Sequence, residues 1–401
     1  MNFQTAQNRS SAWSYFLSQP HQPFFLAGIL WAVLFVLLFM LGYRGSIPLK
    51  IDGTVFHGYA MLFVVFSHFF HGFLLTTFPR FCMTQPVPQT IYTRLFFLYE
   101  TGALLFAAGS LLFPPLAVAG ALTLFAGNLF AVSNFRLIYL VGGSPEKSDP
   151  LWLLVAHGSG LVAHLIFVTG ITFGIFGIDF AWQPLAMGIG VYLYLIFLTF
   201  VVAQRMVPFF SHVAVTKPRR FLPIVFGLLA LKVAAFAFGF ALFEIVLTLL
   251  LAGYLLKEFL GWKLPVFTSA AILWVLHLGL FWLPVALAID ALTCLAEIWM
   301  QTSFLYAGLH LVAIGFVTTI LIGFGTRVTL GHSGQVPHAD RISIALFWFT
   351  QVVVLARFLY SMATGLGLNL AWLFDLSATL WMALFLAWGV KFGPTLIFGK
   401  R

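Results

Sequence analysis

The chain has 401 residues, of which 62% are hydrophobic and only 8% charged, against roughly 25% charged residues in an ordinary soluble domain. A chain of this length cannot hide so much apolar surface in a water-soluble core, so lipid is the expected solvent for its outer face. The net charge of +9 does not point to nucleic acid, because the basic residues form no patch and sit in short connections between apolar runs.

The first 23 residues are polar, show no cleavage pattern, and read as a cytoplasmic lead-in. From there apolar runs, each about long enough to cross ~30 Å of hydrocarbon, fall near 24–43, 54–78, 95–116, 118–141, 150–176, 184–207, 221–239, 241–256, 267–289, 302–326, 341–364 and 370–395. Pro114-Pro115 separates the third and fourth runs sharply. The stretch 221–256 is either a tight hairpin around Gly239 or one long tilted helix with a re-entrant part. The expectation is an all-α, polytopic membrane helix bundle of about twelve transmembrane helices, a single bundle over 24–395 with a cytoplasmic tail at 396–401. Cys82 and Cys294 lie far apart and form neither a disulfide framework nor a CxxC motif.

Charge distribution sets the expected orientation. With each run taken as one crossing, sixteen Lys and Arg fall at the two ends and in alternate loops, while Arg44 and Lys50 alone fall on the opposite side. That asymmetry predicts both ends in the cytoplasm. The remaining two, Lys232 and Arg357, lie inside apolar runs. Arg80 and Arg327 fall at cytoplasmic helix ends, as snorkelling topology charges or as partners for an acidic cofactor group.

Seven of the eleven histidines, His57, His68, His71, His157, His164, His277 and His310, fall inside predicted spans. Ionisable side chains there face the bundle interior and mark candidate sites, although each can instead be neutral and hydrogen-bonded to a neighbouring helix. At ~100° per residue, regular helix places His57, His68 and His71 on one narrow face of the second run, and His157 and His164 on one face of the fifth. His57 and His310 fall at similar depth and can hold one haem iron from opposite sides, since imidazole suits both iron and copper. His68 lies ~16 Å deeper than His57 at ~1.5 Å per residue, too far to share that iron. His68, His71, His164 and His277 are candidates for a second metal position near mid-membrane. His332 falls in a cytoplasmic loop, flanked by Gly331 and Gly334.

Four segments together resemble the NnrS family, bacterial haem- and copper-containing membrane proteins linked to nitric oxide. They are HGYAMLFVVFSHFFHGFLLTTFP from residue 57, RMVPFF from 205, LWVLHLG from 273 and LHLVAIGFVTTILIGFGTRVTLGHSG from 309. His310 and His332 fall on the histidines of the last block. Where the family reads Trp-His-x-His-Glu-Met, this chain has Phe56-His57-Gly58-Tyr59-Ala60-Met61, so a histidine and a glutamate are replaced by Tyr59 and Ala60. A weaker resemblance links His57-Gly58, Met61 and Phe63 to the second helix of haem-copper oxidase and nitric oxide reductase catalytic subunits. There a second-helix and a tenth-helix histidine clamp the low-spin haem. The paired histidines and the HPE-type copper block of those enzymes are missing here.

The resemblance implies a multi-pass protein of the bacterial inner membrane that holds b-type haem and copper and protects against nitrosative stress. On it, His57 and His310 are the expected axial haem ligands. His277 with His164, His68 or His71 offers a second metal position, with His332 a further candidate. A quinol-linked oxidoreductase fed by an electron donor and acting on nitric oxide or another small gas is the first alternative. A transporter or sensor without redox turnover is the second.

Overall fold

The computed structural model describes residues 12–266 and 268–399. The lead-in up to residue 11, with its Arg9, and the terminal Lys400 and Arg401 lie outside the described residues. After a short helix at Ala12–Phe16 come twelve long helices, among the described residues. They are α1 (His21–Tyr43), α2 (Gly53–Cys82), α3 (Gln89–Leu111), α4 (Pro114–Val141), α5 (Ser148–Ile175), α6 (Gln183–Phe210), α7 (Phe221–Ala237), α8 (Ala241–Gly261), α9 (Ala271–Met300), α10 (Ala307–His332), α11 (Arg341–Gly365) and α12 (Trp372–Phe398). No strand occurs among the described residues.

Each predicted apolar run is a helix. Nine of them, among the described residues, are long and apolar enough to cross a membrane. Of the others, α7 has 17 residues, and α8 carries Glu244, Lys257 and Glu258. The stretch 221–256 is two helices joined at Gly239, whose φ of +74° is a conformation that glycine takes without strain.

Local chemistry explains the boundaries. Asp52 caps α2 by accepting from the Val55 amide at 2.9 Å, and Asp340 caps α11 by accepting from the Ser343 amide at 2.9 Å. Pro114 and Pro115 open α4, where the missing amide hydrogens cost nothing. α3 and α4 pack closely through small residues: a Cβ added at Gly120 would stand 2.3 Å from the Phe106 amide nitrogen. Small residues let helices approach where lipid supplies no hydrophobic drive between them.

Burial sorts the helices into two layers. Most of α2, α6 and α10 is buried inside the bundle, with 89%, 83% and 78% of their most apolar windows covered. The surrounding helices turn residues such as Leu30, Leu104, Leu137, Val162 and Leu355 outward, each more than half exposed. An apolar coat over an aromatic interior is what a lipid-solvated bundle requires. Each of the three central helices contains one wider π-helical segment, at Ala60–Val65, Ile189–Ile196 and Leu311–Thr318. Such segments insert extra residues into a helix and shift the faces on either side of them.

That shift overturns the single-face reading of α2. His57 precedes the π segment and turns toward Phe39 of α1 and His310 of α10. His68 and His71 follow it and turn toward α3 and α5. The expectation for α5 holds, since His157 and His164 both face α2.

Candidate functional site

The imidazoles of His57 and His310 lie near the N-terminal ends of α2 and α10, each shortly before a π segment. Their ring centroids are 6.3 Å apart and their planes differ by 16°. Phe39 stacks on the His57 ring at 4.3 Å. Nδ1 of His310 lies 2.9 Å from the Tyr306 carbonyl oxygen; in the tautomer that donates there, Nε2 is the nitrogen with a free lone pair for a metal. Nδ1 of His57 is buried without a hydrogen-bond partner.

Arg357 of α11 stands beside the pair. Its Nη2 lies 3.1 Å from His310 Nδ1 and 3.4 Å from Nε2, and donates to the Leu305 carbonyl at 3.0 Å. The sequence shows it as an isolated charge inside an apolar run; its place at the imidazoles emerges only when α10 and α11 pack. Behind α10, Asp290 of α9 sits so close to Gly308 that an added Cβ would stand 2.2 Å from the aspartate Cβ.

Asp290 belongs to a buried charge cluster. Lys232 of α7, 1% exposed, donates to Glu244 of α8 at 2.6 Å and to Asp290 at 2.9 Å. Its ammonium also lies 4.8 Å from the Tyr192 ring centroid. The lysine that the sequence left without a role thus ties α7, α8 and α9 together.

Deeper in the bundle, His68 has both nitrogens engaged. Nδ1 lies 2.7 Å from the Val64 carbonyl and Nε2 lies 2.8 Å from Glu100, which also accepts from the Trp31 indole at 3.1 Å. Two acceptors around one imidazole require an imidazolium beside a carboxylate, or a neutral imidazole beside a carboxylic acid.

His164 is also fully engaged. Tyr99 donates to Asn128 Oδ1, Asn128 Nδ2 donates to His164 Nδ1 at 2.8 Å, and His164 Nε2 donates to Tyr59 at 2.6 Å. Tyr59 then donates to the Ala121 carbonyl at 3.3 Å. Tyr59, which stands where the family pattern has histidine, is therefore the hydrogen-bond partner of another histidine.

His71 and His157 face each other with centroids 6.2 Å apart and planes 14° apart. His277 makes one hydrogen bond, from Nε2 to Ser211 at 2.7 Å, while its Nδ1 is buried and unpartnered. Among the described residues, no group of three or more His, Cys, Asp or Glu side chains converges as a metal site. His68, His71, His164 and His277 are therefore not brought onto one centre.

The other end of the bundle opens into a cavity of about 1070 Å³. Arg80, Arg205, Lys217, Arg219 and Arg327 line it beside Glu146 and Asp149. Arg205 donates to Asp149 at 2.8 Å, and the Arg327 guanidinium lies 3.9 Å from the Phe210 ring centroid. Burial pulls the Lys217 ammonium below its usual value, and the attraction of Asp149 only partly offsets this. His332 is the last residue of α10 rather than a loop residue, lines this cavity, and has its ring 4.9 Å from that of His21. Arg80 and Arg327 lie 23 and 17 residues along their helices from His57 and His310, roughly 35 and 25 Å at ~1.5 Å per residue. The guanidinium at the His57–His310 pair is Arg357.

These features define a class: an all-helical, membrane-type bundle with paired imidazoles and hydrogen-bonded polar chains in its interior. The chain belongs to the NnrS family, described as NnrS protein, which matches residues 15–399. No curated protein matches the chain.

Proposed function

We propose that this protein is a haem- and copper-binding membrane protein of the nitric-oxide response, with His57 and His310 as axial ligands of a b-type haem. The observation that carries the reading is the parallel imidazole pair at 6.3 Å. A ring nitrogen lies ~1.1 Å from its centroid, so nitrogens turned toward each other stand about 4 Å apart, twice a metal–imidazole bond of ~2.0 Å. The donor chemistry fits as well. One imidazole is fixed by Tyr306, the other has an orphaned nitrogen, and Arg357 offers a positive charge for a propionate.

When bound, the haem would supply one-electron chemistry. The chain's own residues hold and surround it. His57 and His310 would hold it between α2 and α10. Phe39 covers one imidazole and excludes water from it. The chain from Tyr99 through Asn128 and His164 to Tyr59 keeps protons at defined atoms in an otherwise apolar interior. Nitric oxide is small and apolar and concentrates in lipid, where a buried metal meets it.

Twelve crossings with both ends in the cytoplasm, as one bundle over 24–395 in the bacterial inner membrane, complete the reading. The charge asymmetry and the twelve helices support it. The internal polar chain favours a proton-coupled oxidoreductase, fed by quinol or another donor, as the second reading over a transporter or sensor. In that reading a haem held by His57 and His310 would carry electrons, and the gas would be taken up at a second metal.

The test is the absorption spectrum of the purified protein, oxidised, reduced, and reduced with nitric oxide, with metal analysis on the same sample. A sharp bis-imidazole haem spectrum lost in His57→Ala and in His310→Ala is expected. A folded protein without haem overturns the reading.

A further inference from the structure

The bundle contains a second facing imidazole pair, and it differs from the first in its surroundings. His71 of α2 and His157 of α5 have centroids 6.2 Å apart and planes 14° apart. Both nitrogens of His71 and Nε2 of His157 are buried without a hydrogen-bond partner. The side chains are 0% and 3% exposed. Leaving such atoms unpaired is destabilising. His68 and His164, neighbours on the same two helices, have both nitrogens engaged. Among these four imidazoles, the orphaned atoms lie on the two rings that face each other.

We infer that His71 and His157 hold a single cuprous ion in linear two-coordination. With one nitrogen of each ring turned toward the other, the 6.2 Å centroid spacing accommodates two metal–nitrogen bonds of ~2.0 Å. Aromatic rings enclose the pair: Tyr99 lies 4.7 Å and Phe24 6.0 Å from His71, and Phe135 lies 5.2 Å and Tyr194 5.7 Å from His157. Charge selects the ion. Two neutral imidazoles bring no negative charge, and no third His, Cys, Asp or Glu joins them among the described residues. The cost of burying a bare charge rises with its square, which favours a monovalent ion over a dication. Zinc moreover seeks four ligands in tetrahedral array, whereas a filled-shell cuprous ion accepts two in line.

The site rests on the reading of the protein as copper-binding and goes further by naming the ligands, one of which, His157, lies outside the segments that carry the family resemblance. It is separate from the His57–His310 pair: His57 and His71 are 14 residues apart on α2, about 20 Å at ~1.5 Å per residue.

The experiment loads the full-length purified protein with Cu(I), using bathocuproine disulfonate as the competing chelator. One ion per chain is expected, with an X-ray absorption edge of two-coordinate Cu(I) and two nitrogen neighbours at about 2 Å. His71→Leu and His157→Gln each weaken binding at least ~100-fold, while size-exclusion profile and any haem spectrum stay unchanged. One tightly held ion in both variants overturns this assignment and leaves the copper reading standing. Absence of Cu(I) binding by the wild-type protein overturns both. The edge of the loaded wild-type protein decides without a variant: a three- or four-coordinate edge refutes the pair as the complete ligand set.

Discussion

Lys232→Met tests the buried charge cluster most directly. The lysine Nζ lies 2.6 Å from Glu244 and 2.9 Å from Asp290, and the carboxylate side chains are only 12% and 10% exposed. Methionine keeps the length and apolar volume but removes the shared cation. The two carboxylate oxygens then face each other across no more than the sum of those distances. Their repulsion is ~3 kcal/mol at an effective dielectric of about 20, and breaking a buried ion pair costs about 3–5 kcal/mol overall. Unfolding in mixed detergent and SDS micelles, followed by the loss of helical signal, measures the change. Lys232→Met is expected to unfold at a clearly lower SDS fraction than wild type. Adding Asp290→Asn to Lys232→Met removes the repulsion and recovers most of the loss. A single variant as stable as wild type refutes the reasoning, as does a double variant no better than the single one.

Three further outcomes follow from the same geometry. Gly308→Ala places a methyl 2.2 Å from Asp290 Cβ and 2.3 Å from its Cα. Backbone must move there, so α10 is displaced beside His310, with a thermal midpoint in detergent below that of Gly331→Ala, where an added Cβ meets open space.

Asp340 gives a pH dependence. Partial burial pushes its carboxyl up, but bonds from Lys391 and from the side chain and amide of Ser343 outweigh this and hold it down at about 2. A depressed carboxyl contributes stability above its ordinary value of 3.8 and loses it as pH falls through about 2. The side chain is 48% exposed, so solvent screening limits the contribution to about 1 kcal/mol or less. Asp340→Ala should flatten the acid limb of an unfolding-against-pH curve, and an unchanged limb contradicts this.

Arg357→Leu removes the cation beside His310. Loss of a positive charge favours the oxidised state, so a haem held by His57 and His310 should titrate at a lower midpoint potential, with Arg357→Lys restoring part of the shift. An unmoved potential places the haem elsewhere.

Much of the architecture was legible in the chain because membrane solvation imposes a one-dimensional rule. A span must be a long apolar stretch with its backbone bonds satisfied internally, so every long helix was visible as a run. The pair His57 and His310 was also legible, because depth along a span follows from residue count. Faces were not legible. Regular helical phase put His57, His68 and His71 together, but the π segment at Ala60–Val65 separates the first from the other two. Extra residues in a helix shift phase without altering the apolar pattern from which spans are read.

What the sequence determined by itself was therefore the apolar runs, the apolar coat and the place along its helix of each imidazole inside a run. Tertiary structure decided the partners. Packing of α10 against α11 brings Arg357 to His310, and packing of α2 against α5 sets His71 opposite His157. Packing of α7, α8 and α9 closes Lys232 between two carboxylates. These pairings depend on the rotation of one helix against another, which in lipid is set by close packing and internal polar contacts and leaves no periodic trace in an almost uniformly apolar chain.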